Sequence, residues 1–199
     1  MKHILHLFFA AAVLVTLFGC AGPKAASTPL EAPDQLKSEE LKTTERFRKY
    51  NSIGIRAFST EDVIFSSTNA EERPEMEAFA KTANQFLTKG FFGEMKENYY
   101  KKYGSVDSDD EAKEYDLIIE GKFTEFDRGN AAARFWGVGG LARVSVTGTM
   151  KETATGKVVA KFGDYKVAGS SGVGGSMSLL ENCVDEIGGN LSDFLRDVY

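Results

Sequence analysis

Histidine is nearly absent from this chain of 199 residues, which contains only His3 and His6. Both lie in an apolar N-terminal stretch, and removal of that stretch would leave a protein without imidazole. Serine–histidine–aspartate and cysteine–histidine catalysis need an imidazole base, and nearly all zinc sites use histidine or several cysteines. The sequence therefore predicts no catalytic residue, no metal site and no cofactor, and it argues against an enzyme.

Cysteine is equally scarce, with one residue at position 20 and one at position 183. Cys183 falls on the apolar side of a C-terminal helical pattern, and we interpret it as a small buried hydrophobe rather than a reactive thiol. If Cys20 is acylated, as its surroundings indicate, Cys183 has no second thiol with which to form an intrachain disulfide.

Clusters of basic residues are also lacking. The chain has 24 Lys and Arg against 29 Asp and Glu, a formal charge of −5. Nucleic-acid binding requires a concentrated basic surface, so we expect no nucleic-acid partner. The acidic segment 105–114 begins like a calcium-binding EF-hand, but Ala112 stands where that loop needs glycine and Ile118 where it needs glutamate. We interpret the segment as a solvated loop.

Two glycine clusters invite comparison with phosphate-binding loops. Residues 137–142 fit G-x-G-x-x-A but lead into a strand pattern, whereas the dinucleotide fingerprint opens a helix. Residues 172–175 precede a helix but lack the lysine of a P-loop, so we interpret them as a helix-entry hinge.

The apolar N-terminal stretch has the pattern of a secretion signal. Lys2 supplies the positive charge, and the apolar run 4–18 is too short and wrongly flanked for a stable transmembrane helix. Its last residues, Leu-Phe-Gly-Cys20-Ala21, resemble the lipobox of bacterial lipoproteins. The resemblance implies that the signal peptide 1–19 is removed and that Cys20 is acylated and anchored in the lipid bilayer. Because Ala21 is not aspartate, resemblance to enterobacterial lipoproteins implies sorting to the outer membrane.

The remainder of the chain divides into a tether and one domain. Residues 20–45 are rich in Ala, Pro, Ser, Thr, Lys and Glu, and we interpret them as the lipidated N-terminus and a flexible tether. Residues 46–199 have the length expected of a single α/β domain.

Three strands, joined by a glycine-rich loop and a tight turn, are predicted between residues 115 and 167. Apolar and polar side chains alternate along 142–151, which is typical of an antiparallel strand with one buried face. Segments 115–126 and 157–167 supply the flanking strands, and Gly156 suits a turn that needs positive φ. A further strand is predicted at 52–58, followed by a polar loop as far as residue 73.

Helical periodicity predicts two helices. The first begins near Pro74 and should end at Gly90, and the last carries an apolar stripe from Leu180 to Val198. Residues 91–100 fit either a strand or a continuing helix, with the strand preferred. Together the elements predict a two-layer α+β fold, with two main helices packed on a mixed, largely antiparallel sheet.

The domain also resembles a known family. The pattern Gly129-Asn-x(3)-Arg134 followed by Gly137-x-Gly-Gly, with Thr155-Gly-Lys further on, resembles a family of bacterial lipoproteins termed domain of unknown function 4410. The resemblance runs from about Ser52 to the end of the chain. It implies helices against a mixed sheet, as in curli-secretion and TolB-type envelope lipoproteins, and it supplies no catalytic residues.

These observations lead us to expect a non-enzymatic lipoprotein on the periplasmic face of the outer membrane, which contacts an envelope protein partner during envelope assembly or secretion. The alternative is a periplasmic accessory lipoprotein that binds a small molecule or glycan. Arg134, Phe135 and Trp136 are the candidate contact residues, because large aromatics beside arginine are typical of binding hot spots. The opposing interpretation is that the two aromatics pack under the sheet as core.

Overall fold

The computed structural model describes residues 30–31, 47–130, 132–133, 140–169 and 175–199. Within these ranges, the elements in chain order are β1 (Leu30–Glu31), β2 (Ser52–Arg56), β3 (Ile64–Ser66), α1 (Arg73–Met95), β4 (Lys102–Val106), α2 (Asp109–Ala112), β5 (Leu117–Asp127), β6 (Ala142–Glu152), β7 (Val158–Ala168) and α3 (Ser176–Val198).

The described strands form one mixed sheet in the order β1-β7-β6-β5-β2-β4. β3 also pairs with β5, at residues 125–127, beyond the part of β5 that pairs with β2. The two longest pairings, β5 with β6 and β6 with β7, are antiparallel, whereas β1, β2, β3 and β4 add parallel to their neighbours. The predicted α+β fold with a mixed sheet and two main helices is therefore confirmed.

α1 and α3 pack on each other and on one face of the sheet, where they enclose the main core. Alternate residues of β6 point into this core, so Ala142, Val144, Val146 and Met150 are buried, as the alternation predicts. Every second residue faces the other way. The predicted hairpin is also present, with Gly156 at a φ of +67° in the β6–β7 turn.

Gly90 does not end the first helix, and this prediction was wrong. α1 continues to Met95, and Phe91 and Met95 are buried on the same stripe as Leu87. The reason is tertiary, because Gly90 lies where α1 crosses α3, and a Cβ there would be 1.9 Å from the carbonyl oxygen of Asp185. Glycine here permits close helix packing instead of stopping the helix.

The preference for a strand at 91–100 was wrong for the same reason, since its first half belongs to α1. The next strand is β4, which lies partly in the segment predicted as a solvated loop. β4 is short and breaks the alternation with Gly104, where a Cβ would lie 2.5 Å from the hydroxyl of Tyr115. The polar loop predicted at 59–73 likewise contains β3, whose three residues pair with β5.

Two features lie outside the main core. β1, inside the segment interpreted as a tether, pairs with Ala160 and Lys161 of β7. α2 packs on the opposite face of the sheet from α1 and α3, where Ala112 joins Val106 and Ile118 in a small second cluster.

Candidate functional site

A polar cleft of about 400 Å³ lies beside the β6–β7 turn, and we call it the turn cleft. Its lining residues are Lys49, Tyr50, Lys113, Tyr115, Asp116, Glu152, Thr153 and Ala154.

Glu152 is the most heavily bonded group of the turn cleft. One carboxylate oxygen accepts from Lys49 Nζ at 2.6 Å and from the hydroxyl of Tyr50 at 3.2 Å, and the other accepts from Thr155 at 2.5 Å. The hydrogen bonds from Lys49 and Thr155 lower the pKa of Glu152 to about 2. The carboxylate is therefore ionised at neutral pH and ties the chain before β2 to the hairpin turn.

Asp116 has a structural role at the floor of the cleft. Its carboxylate accepts from the backbone N–H groups of Asn51 and Ser52 at 2.7 and 3.0 Å, and its own N–H donates to the Ser52 hydroxyl. These bonds fix the start of β2 against the start of β5. By contrast, the Thr153 hydroxyl oxygen is buried and has no hydrogen-bond partner among the described residues.

Cys183, Tyr100 and Glu152 have shifted pKa values that make them poorly suited to transfer protons at neutral pH. Burial raises the pKa of the Cys183 thiol to about 12, and burial raises the pKa of Tyr100 as well. Together with the lowered pKa of Glu152, these shifts move each group away from the range useful to a general acid or base. Cys183 is buried on α3, as its position on the apolar stripe predicts.

The predicted contact residues Arg134, Phe135 and Trp136 lie outside the described residues, as does Cys20. The structure does describe the base of the connection that carries the three contact residues. The Asn130 N–H donates to the Gly140 carbonyl at 3.0 Å, and Gly129 and Gly140 have φ of +68° and +75°. A Cβ on either glycine would lie 2.3 Å from the facing backbone, so both ends of the connection require glycine.

Arg128 attaches this base to the helical layer. Its guanidinium lies 2.8 Å from a carboxylate oxygen of Glu75, in the first turn of α1, and 3.6 Å from one of Glu72, the residue just before α1. The cavity between these elements measures about 590 Å³ and is lined by Ser67, Thr68, Asn69, Glu72, Arg128, Gly129, Asn130 and Ala132.

Exposed apolar side chains occur at the same end of the sheet. Leu141 is 48% exposed immediately after Gly140, and Val167, the last residue but one of β7, is 41% exposed. Sequence reasoning missed both, although Val167 stands on the polar phase of the β7 alternation. We call Gly129–Asn130, Gly140–Leu141 and Val167 the loop end of the sheet.

No helix in the described ranges is both long and apolar enough to cross a membrane. Within the same ranges, no three histidine, cysteine or acidic side chains are grouped in a way that could hold a metal ion. The fold is that of a small α+β domain, with exposed apolar side chains at one end of the sheet and two polar clefts among the described residues.

The chain belongs to the family described as Domain of unknown function (DUF4410), whose model matches residues 35–172. No curated protein matches the chain in sequence.

Two solved structures show distant similarity. A PelC dodecamer from Paraburkholderia phytofirmans has a TM-score of 0.43 and 11% identity, over 70% of this chain and 87% of that chain. Protein XCC0632 from Xanthomonas campestris, of family DUF330, has a TM-score of 0.44 and 8% identity, over 75% of this chain and 85% of that chain. At these values neither structure carries information about the function of this protein.

Proposed function

We propose that the protein is a non-enzymatic lipoprotein, anchored through acylated Cys20 at the periplasmic face of the outer membrane, which binds an envelope protein through the loop end. The observation that carries this proposal is the exposure of Leu141 beside a connection whose two ends are fixed by glycine. Exposed apolar residues beside a positioned loop favour recognition of another protein surface.

The chemistry of the described residues supports a binding role over catalysis. The pKa values of Glu152 and Cys183 are displaced away from neutrality, so neither group is prepared for proton transfer or nucleophilic attack. The lipobox around Cys20 supports the anchor, because acyl chains in the bilayer gain about 0.8 kcal/mol for each buried CH₂ group.

A periplasmic accessory lipoprotein that binds a small molecule or glycan is the second candidate. It is favoured by the turn cleft, where Tyr50 and Tyr115 stand near the buried, unpartnered hydroxyl oxygen of Thr153. A ligand hydroxyl that reached this oxygen would satisfy it.

In-cell photo-crosslinking separates the two candidates. A photoreactive phenylalanine analogue in place of Leu141 should give one discrete adduct that contains a different envelope protein. The same analogue at Lys81, an exposed position on α1, is the matched control and should give none.

Equal adducts from both positions, or none from Leu141, would contradict the loop-end proposal. Native mass spectrometry of the same preparation tests the second candidate. A bound small molecule that is lost from a Thr153→Val variant would favour ligand binding.

A further inference from the structure

β1 occupies part of an edge that the strands of the domain leave open. Its residues Leu30 and Glu31 pair in parallel with Ala160 and Lys161 of β7. β6 lies on the other side of β7, so from Phe162 onward the outer edge of β7 has no strand partner in the described ranges. An open edge presents unpaired N–H and C=O groups that an extended segment can bond. β1 is therefore a piece of the N-terminal segment that is docked on the domain.

The sequence around β1 favours an extended strand that stays short. Pro29 stands immediately before β1, and Pro33 stands two positions after it. Proline has no N–H group, so it cannot donate to a neighbouring strand. It also restricts the residue before it to extended φ and ψ values, which lowers the conformational entropy that such a segment loses when it pairs. The local sequence thus supports the pairing that the structure shows.

The chain between β1 and the domain is long enough for both to belong to one molecule. Residues 32–46 form this connection, and a chain of that length spans at most about 50 Å. Lys49 bonds Glu152 at the end of β6, and Lys161 pairs with Thr149, which is three residues earlier on β6. Three residues of a strand measure about 10 Å. The pairing is therefore intramolecular, which gives β1 a high effective concentration at the edge of β7.

The direction of β1 distinguishes the two ends of the sheet. Because β1 runs parallel to β7, Leu30 lies toward the start of β7, beside the β6–β7 turn. The loop end is at the opposite end of β7, where Ala168 pairs with Ala142. Ala160 and Ala168 are eight residues apart in β7, which corresponds to about 26 Å along a strand. The chain therefore enters β1 from the turn end of the sheet and not from the loop end.

We propose that β1 docks the N-terminal segment on β7, so that only residues 21–29 separate acylated Cys20 from the folded domain. A free linker of this length has a root-mean-square span of about 16–19 Å, against about 26–31 Å if the whole segment up to Phe47 were free. The turn end is thereby held near the bilayer, and the loop end is held farther from it, toward the periplasm. This inference rests on the proposed acylation of Cys20.

Docking is tested first by a disulfide that does not depend on acylation. Glu31 and Lys161 are register partners, and paired strands bring their Cα atoms within the range that a disulfide accepts. The full-length chain with Glu31→Cys and Lys161→Cys should therefore form this link within one chain under mild oxidation. Glu31→Cys with Lys122→Cys, an exposed position on β5, is the matched control and should not. Peptide mapping identifies the linked residues.

The length of the free linker is tested with one Gly/Ser segment inserted at two places in the acylated chain. One insertion lies before β1, between Ala25 and Ala26, and the other lies after it, between Ser38 and Glu39. A fluorophore on Lys157→Cys, at the exposed turn, reports its distance from a vesicle by energy transfer to a lipid dye. A segment of about ten residues before β1 should lengthen the linker span about 1.4-fold. The same segment after β1 should leave the distance unchanged, because it lies between two points that are fixed on the domain.

The orientation is tested by moving the fluorophore along β7. A fluorophore on Val167→Cys should lie farther from the lipid than one on Lys157→Cys, and the reverse order would overturn the orientation. Equal effects of the two insertions, or a Glu31→Cys, Lys161→Cys chain that links no faster than its control or links only two copies, would overturn the docking. A chain that carries no acyl group and does not join the vesicles would instead contradict the proposed function, and the disulfide would still decide the docking.

Discussion

Alanine substitutions at four helical glycines should split into two pairs with opposite effects on stability. At the crossing of α1 and α3, a Cβ on Gly188 would lie 2.1 Å from the carbonyl oxygen of Leu87, and one on Gly90 would meet the Asp185 backbone at 1.9 Å. Backbone atoms cannot move aside as a flexible side chain can, so the helices must separate. Overpacking of this kind costs about 1–3 kcal/mol.

The matched controls lie on the same two helices. A Cβ on Gly93 meets nothing within 4 Å, and one on Gly189 meets only the flexible Glu94 side chain at 3.6 Å. Here alanine should stabilise by about 0.4–1 kcal/mol, because it restricts the unfolded chain and favours helix. The difference between Gly188→Ala and Gly189→Ala should therefore reach roughly 1.5–4 kcal/mol.

Urea denaturation followed by circular dichroism at 222 nm measures these differences. Midpoints should fall for Gly90→Ala and Gly188→Ala and rise for Gly93→Ala and Gly189→Ala. If all four variants changed stability in the same direction, the close crossing of α1 and α3 would be refuted.

Three further predictions concern the core and the titratable groups. Leu191→Ala should lower the free energy of unfolding by about 2–5 kcal/mol, since Leu191 is fully buried; a loss below about 0.5 kcal/mol would mean that this stripe is exposed. Cys183, whose pKa burial raises to about 12, should resist iodoacetamide at pH 8 until the protein is unfolded in urea, and rapid labelling of the folded chain would contradict its burial. The pKa of Glu152 falls from 4.5 to about 2 on folding, so its stabilising contribution is complete above the unfolded value and is lost as pH falls through that interval. Glu152→Gln should therefore lose less stability on acidification than the parent, and identical acid profiles would rule out the bonded carboxylate.

Local patterns in the sequence predicted those elements that bury one face and expose the other. The alternation along β6 identified a strand with one buried face, and the stripe along α3 identified a buried helix that includes Cys183. Each pattern repeats within a single strand or helix, along the face that is buried, so its period is visible in one sequence.

Elements that depend on distant partners could not be predicted in this way. In the sequence, Gly90 predicts the end of a helix, whereas in the structure its lack of a side chain allows α1 to pack closely against α3. β4 has no alternation, because Gly104 makes room for Tyr115 and pairing with β2 defines the strand. Parallel pairing joins residues that are far apart in the chain, so a local hydrophobic period cannot predict it.

The candidate site was predictable only in part. The connection that carries Trp136 stood out by composition, but the exposure of Leu141 beside it is visible only in the structure. The acidic segment was predicted as a solvated loop, whereas it contains a short helix on the sheet.

Acylation at Cys20 is the premise on which the proposed envelope role depends most directly. It is tested by growing cells with a clickable fatty-acid analogue and measuring its incorporation into the parent chain and into Cys20→Ala. The parent should be labelled and found in the membrane fraction, whereas the Cys20→Ala variant should carry no label and be either unprocessed or released. Equal labelling of the two proteins, or a parent without label, would contradict it.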